Sequence, residues 1–272
     1  AGTVGSATYG VAKAVNLHAV RVLDCNGNGT TAGLIAGADW VAANHLGPAV
    51  ANMSLSGRFS QAVNDAVTNS IAAGVTYVVA AGNEGPGPES ITVPGNDPYV
   101  VTVGAVDNNR TPGYWADDIL PGWAATGPTW DGFAKPDVLA PGNYVISFMF
   151  KDPDDMNNSD TLVQQHPDNA VATTMFRMSG TSQASPHVAG LAAGIALTRD
   201  GVLAPQPTIE HAQVAVPEPV EGRAERVAQP EPADEDPATS AETQVQLDAV
   251  INHLLGVQIL HQQFIAGDIP RR

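Results

Sequence analysis

A single cysteine, Cys25, among 272 residues leaves no partner for an internal disulfide and no multi-cysteine metal site. Basic residues are scarce as well: 12 Lys and Arg stand against 28 Asp and Glu, a formal net charge of -16. That imbalance argues against nucleic acid and anionic membranes as partners. No apolar run is long enough to span a bilayer as a helix. No secretory signal is legible, and the sequence opens at Ala1 rather than at a methionine, so composition alone leaves the compartment open. What is present suffices for a sizeable core: 43% of the residues are apolar, and 27 Gly with 21 Pro imply many turns between short elements.

Over roughly the first 200 residues, strand-like runs alternate with helical patterns. "NLHAVRVL" (16–23) reads as a strand that ends in the turn "DCNGNG". "TAGLIAGADWVAANHLG" then sets Leu34, Ile35, Ala38, Val41 and Ala42 on one helical face, stopped by Gly47. "PAVANMSL" (48–55) is the next strand. Ser60 caps a helix whose Val63, Ala66, Val67 and Ile71 share a face and which ends at Gly74. "VTYVVAA" (75–81) and "YVVTVGAV" (99–106) follow as strands. Apolar strands separated by amphipathic helices predict βαβ units, a buried parallel sheet and helices on both of its faces.

The pattern changes after residue 203. Residues 204–240 contain seven prolines and eight acidic residues, with only Arg223 and Arg226 basic. Such a stretch buries too little apolar surface to offset chain entropy, so it reads as an extended or disordered linker. Thr239 with Glu242 then forms a capping-box signature. It opens a helix over the 241–272 tail with Leu247, Val250, Ile251, Leu254 and Leu255 in one stripe, which either docks back in cis or mediates association. The expected organisation is therefore a domain over 1–203, a linker over 204–240, and a helix and tail over 241–272.

"MSGTSQASPHVAG" (178–190) carries the chemistry. Ser182 opens a small-residue run that reads as a helix, where unpaired amides and the positive end of the dipole favour developing negative charge. Its own N–H is then a candidate oxyanion donor. Pro186 is tolerated because the N–H it lacks would be unpaired in a first turn. Taken alone, a serine in this place is more often a helix cap than a nucleophile, since a nucleophilic serine needs a base, an orienter of that base and oxyanion donors.

The longer string shifts that balance. "GTSQASPHVAG" resembles the nucleophile motif of the subtilisin-like serine peptidases, the subtilases. "GTVGSATYGVAKAVNLHAVRVLDCNG", "ANMSLSG", "GVTYVVAAGNEG", "DPYVVTVGAVD" and "KPDVLAPG" are similar to subtilase segments in the family's order, nearest to the proteinase K-like branch. The resemblance covers roughly residues 1–200. It implies an α/β, three-layer subtilisin-like fold with a mostly parallel β-sheet between helices, lacking its N-terminal strand and part of the base-carrying helix. It also implies serine endopeptidase chemistry on polypeptide substrates, no cofactor required for that chemistry, and an extracellular or secreted location.

Residue by residue, the resemblance implies that Ser182 is the nucleophile and Asn83 in "AAGNEG" the oxyanion donor, a neutral amide at a strand end. Ser54, Leu55 and Ser56 match one wall of a peptide-binding cleft, with Gly27, Asn28 and Gly29 on the facing edge. Such walls bind an extended peptide as an added strand. Ser56 stands where the family usually has glycine. A structural calcium held by the carbonyls of Pro98 and Val100 and the carboxylate of Asp137 is also implied, and hard oxygen ligands suit that ion. "DPDDMNNSD" (152–160) is oxygen-rich but lacks a regular calcium-loop spacing and reads as a solvated insertion.

The family's base histidine lies in "HGTH" just ahead of the run in which this sequence begins, and its orienting aspartate lies further upstream still. Nothing in the sequence matches either. His187 follows Ser182 on the same helix and belongs to the motif without being the base. His18 and His45 match no catalytic position, and His166, His211, His253 and His261 fall in loops or the tail. Two readings follow: an endopeptidase seen without its base-carrying part, or a non-catalytic peptide-binding or structural relative.

Overall fold

The computed structural model describes residues 1–24, 27–148, 163, 166–172, 174–199 and 210–212. Cys25, the 152–160 run and the 241–272 tail lie outside them.

The core is a four-stranded, fully parallel sheet in the order β2-β3-β4-β5, formed by β2 (Ala49–Met53), β3 (Val75–Ala80), β4 (Val101–Val106) and β5 (Val138–Pro141). The side-chain alternation of β3 sorts the two faces. Val75, Tyr77 and Val79 point to one side, where they meet Val67 and Ile71 of α3 (Gln61–Ala72) and Val41 of α2 (Thr31–Asn44). Val78, with Val101, Val103 and Ala105 of β4, faces Ala184, Val188, Ala189 and Ala192 of a long helix that follows the strands. That helix, Thr181–Arg199, is α4 once the short α1 (Gly2–Gly5) packed against it is counted. Helices on both faces of a parallel sheet make the three-layer α/β arrangement expected from the sequence.

Local signals account for the helix starts and stops. Thr30 accepts the Gly33 N–H at 3.0 Å and caps α2. Ser60 sits at the N-cap of α3 but makes no side-chain cap bond there. The face expected to seat α2 is only half-buried; its buried residues are Gly33, Gly37 and Ala38. The approach is close because Gly37 has no Cβ, which would stand 2.6 Å from Val22 Cγ1. Tyr77 is buried under α3 and donates its hydroxyl to Ser70 Oγ at 3.0 Å.

Three features depart from the sequence-based reading. The strand expected over 16–23 shortens to β1 (His18–Val20), which does not join the four-stranded sheet. It pairs in parallel with β9 (Glu210–Ala212), inside the stretch expected to be linker. An edge strand needs only backbone partners, so a proline-rich composition does not exclude a three-residue pairing. Second, β2 is an edge strand: its apolar residues read as part of a buried sheet, yet all four are half-buried and Asn52 is exposed, because no described strand lies beyond them. Third, a separate antiparallel sheet, β6-β8-β7, forms from β6 (Val145–Phe148), β7 (Ala170–Ala172) and β8 (Met175–Met178). It leads directly into α4.

Val101 is wholly buried between the sheet and α4, whereas Leu46 beyond α2 is 96% exposed. Val101→Ala is expected to lower unfolding free energy by about 2–3 kcal/mol, two lost methyl carbons plus a cavity term. Leu46→Ala is expected to stay within about 0.5 kcal/mol. Denaturant unfolding of the two variants checks both; equal losses would contradict this account of the core.

Candidate active site

The C-terminal ends of β2 and β3 meet the first turn of α4, and every strong feature of the site is a bond across that junction. Thr181 is fully buried. Its N–H donates to Asn83 Oδ1 at 2.9 Å. Its hydroxyl accepts the Gly82 N–H at 3.1 Å and has Gly82 O and Asn83 Oδ1 within 3.2 Å for its own proton. With Oδ1 so engaged, the asparagine amide is fixed with Nδ2 on the opposite side. That nitrogen lies 3.5 Å from where a Gly180 Cβ would stand, and Gly180 holds a φ of +156°. The Asn83 N–H is held by Glu84 Oε2 at 2.7 Å.

Ser182 is half-buried at the second position of α4. Ser54, just past β2, donates its hydroxyl to Ser182 O at 2.8 Å, and Ser182 Oγ lies 3.4 Å from Ser54 O. Behind this pair, Asn52 Nδ2 donates to Ser54 Oγ at 2.9 Å and Asn52 Oδ1 accepts the Ser185 hydroxyl at 2.7 Å. The chain Ser185–Asn52–Ser54–Ser182 therefore laces α4 to β2. Gly180 N–H bonds Gly142 O at 2.8 Å, which fixes the loop ahead of the helix against the end of β5. In the first turn, Gln183 and Ala184 N–H both reach Gly180 O and Thr181 N–H reaches Asn83. Among the described residues no acceptor takes the Ser182 N–H. That N–H and Asn83 Nδ2, on the side chain tied to Thr181, are two neutral donors with no acceptor among the described residues.

The structure brings together Ser182, Asn83 and Ser54, and Leu55 and Ser56 continue the same wall toward solvent. Gly27, Asn28 and Gly29 lie in the loop after β1, closed by Asn28 N–H to Asp24 Oδ1 at 2.8 Å and a bridge between Leu23 and Gly29. They make no described bond to Ser182 or Asn83. Pro98, Val100 and Asp137 sit at the opposite, N-terminal ends of β4 and β5, well away from this junction in the fold. There Lys135 Nζ donates to Val100 O at 2.8 Å and to Asp137 Oδ2 at 2.7 Å. Two of the three oxygens implied for a calcium thus already hold an ammonium. Among the described residues no group of three or more His, Cys, Asp or Glu is arranged to hold a metal.

No histidine whose side chain is described bonds Ser182. His45 joins Gly47 O and Ala73 O, and His187 Nδ1 lies 3.0 Å from Gln183 O on its own helix. Burial pushes the His187 pKa below its ordinary 6.5, against the carbonyl contacts of its own helix turn, so the ring is held neutral as a packing group. The sequence assigned no role to Thr181 or Asn52, and to Ser185 only that of a small residue in a closely packed helix. A hydroxyl immediately before the nucleophile was the one available signal; the Asn52–Ser185 link is a contact between residues far apart in the chain, which spacing does not display.

This geometry matches a known family. The model of the subtilase family, Peptidase_S8, matches residues 1–211. The chain belongs to the subtilases. An extracellular serine proteinase of Thermus sp. (strain Rt41A) is 41% identical over 193 residues, covering 71% of this chain and 39% of that protein. The serine protease AprX of Bacillus subtilis (strain 168) is 37% identical over 205 residues, covering 71% of this chain and 45% of its own length. A crystal structure of a cold-adapted subtilisin-like serine proteinase aligns with a TM-score of 0.56 at 37% identity, over 73% of this chain and 59% of that one. This subtilase chain spans less than half the length of the two curated relatives. The family match runs past residue 203, the boundary read from composition, and reaches into β9.

Thr181→Val keeps the side-chain shape but leaves the buried Gly82 N–H without its acceptor. It is expected to cost about 1–3 kcal/mol of stability. Ser182→Ala, which removes only the 3.4 Å contact, is expected to stay within about 0.5 kcal/mol. Thermal unfolding of both variants tests this; a neutral Thr181→Val would show that the hydroxyl does not hold the junction.

Proposed function

We propose that this chain carries the nucleophile and the oxyanion donors of a secreted serine endopeptidase, with the general base and its orienting carboxylate supplied by residues outside 1–272. The observation that supports the reading most is the bond from Thr181 N–H to Asn83 Oδ1, because it ties the Asn83 amide to the residue next to Ser182 through its oxygen and leaves Nδ2 as the donor side. Preorganised donors of this kind act where charge develops and need no reorganisation during the reaction.

In this reading an extended polypeptide lies along the Ser54–Ser56 wall. Ser182 Oγ attacks the scissile carbonyl carbon while its proton passes to the base. The carbonyl oxygen, now an oxyanion, takes hydrogen bonds from Asn83 Nδ2 and Ser182 N–H. Collapse expels the amine, protonated by the same base, and water then cleaves the acyl-serine by the reverse sequence of proton transfers. No cofactor enters these steps. The subtilase resemblance gives the base as a histidine and its orienter as an aspartate, and no described histidine stands in for that base. The relative from Thermus is named an extracellular proteinase, which supports secretion.

A second reading, peptide binding without turnover, draws on the same lack of a described base at Ser182 Oγ. Kinetics of the full-length gene product separate the two. Asn83→Ala is expected to lower kcat on a peptide anilide while leaving KM nearly unchanged, since the lost bond strengthens mainly in the transition state. The expected loss is on the order of 10²–10³, a magnitude adopted from an oxyanion asparagine of this same family rather than from this geometry. A folded Asn83→Ala enzyme with wild-type kcat would remove Asn83 from the chemistry. A full-length product with no turnover would favour the binding reading.

A further inference from the structure

At the end of the sheet opposite Ser182, one buried ion pair joins the starts of two neighbouring strands. The Lys135 side chain is only 3% exposed and that of Asp137 14%. Lys135 Nζ donates to Asp137 Oδ2 at 2.7 Å and to the carbonyl of Val100, a wholly buried residue, at 2.8 Å. Asp137 Oδ2 also accepts the Thr102 N–H at 2.6 Å, and Asp137 N–H returns to Thr102 O at 2.9 Å. Asp97 lies near enough for Lys135 to favour its ionised form, although burial pushes its pKa up overall. Its oxygens are occupied by Tyr99 N–H and the Thr68 hydroxyl. The cluster is thus a carbonyl, a carboxylate and a nearby second carboxylate gathered around one ammonium.

We propose that the Lys135 ammonium is a tethered cation that takes the place of a bound calcium at the Val100–Asp137 site, so that this end of the sheet is held together without metal. Calcium needs six to eight oxygens at about 2.3–2.6 Å. An ion placed against Val100 O and Asp137 Oδ2 would overlap the position of Nζ, so Lys135 would have to leave. It is anchored two residues from Asp137 in the same buried segment, and expelling its charge would bring repulsion from the incoming ion. A tethered ammonium also differs from a bound ion in mass action. The stabilisation an ion gives rises and falls with its concentration, whereas a side chain is always present. One lysine therefore replaces a ligand-dependent brace between β4 and β5 with a permanent one.

The test is thermal unfolding in excess EDTA and in millimolar calcium. Any calcium response of the wild-type chain that arises elsewhere should survive Asp137→Asn unchanged. Lys135→Ala should lower Tm in EDTA by roughly 6–15 °C, as expected for an uncompensated buried charge. It should also gain a calcium-dependent recovery that the Lys135→Ala/Asp137→Asn double variant lacks. A wild-type calcium response abolished by Asp137→Asn would overturn the proposal, as would a folded Lys135→Ala indifferent to calcium. Should the variants not fold, a crystal structure of the wild-type chain grown in saturating calcium decides it. Lys135 Nζ between Val100 O and Asp137 upholds the proposal; a calcium ion there, with Lys135 turned away, refutes it.

Discussion

The bond from the Thr181 amide to the Asn83 side chain is the constraint on which the site depends. It joins the first turn of α4 to the end of β3, and it satisfies a helix-start N–H that would otherwise face the core. It also turns a flexible amide side chain into a donor with one direction. Two things follow from that single contact: the start of α4 is seated and the end of β3 is closed. The Thr181 hydroxyl, buried and bonded to Gly82, keeps the contact in place.

The sheet beneath explains why such precision is possible. The sheet puts Val78, Val101 and Val103 against α4 and Val75 and Val79 against Val67 of α3, so the ends of β2 and β3 are carried by a rigid slab. Polar chemistry then gathers at the two ends of that slab. At the C-terminal ends, neutral hydrogen bonds among Asn52, Ser54, Thr181, Ser185 and Asn83 lace the strands to α4. At the N-terminal ends, a permanent positive charge on Lys135 is matched by Asp137 and a carbonyl. One end is joined by neutral hydrogen bonds and the other by an ion pair.

Much of this was legible in the sequence because the physics involved is local. The alternation of apolar strands with helices predicted the layers, the glycine at 74 and the serine at 60 bounded α3, and the small-residue run after Ser182 predicted a helix that packs closely. What escaped depends on contacts between distant segments. Nothing in "KPDVLAPG" announces that its lysine folds onto the carbonyl of Val100, because that carbonyl comes from another strand. The antiparallel β6-β8-β7 sheet and the pairing of β1 with β9 rather than β2 are likewise choices of partner, which side-chain periodicity does not encode. The position of Thr181 rests on its burial between two elements, which the sequence does not display.

The central claim is that Ser182 is the reacting group and that its surroundings, rather than its place in a motif, make it so. The most direct measurement is peptide mapping by mass spectrometry after the full-length gene product has reacted with a fluorophosphonate, which mimics the tetrahedral intermediate and labels activated serines. The account predicts one adduct, on Ser182, with Ser54, Ser56 and Ser185 unmodified. Labelling at a different serine in a protein that cleaves peptides, or no labelling at all in such a protein, would contradict it.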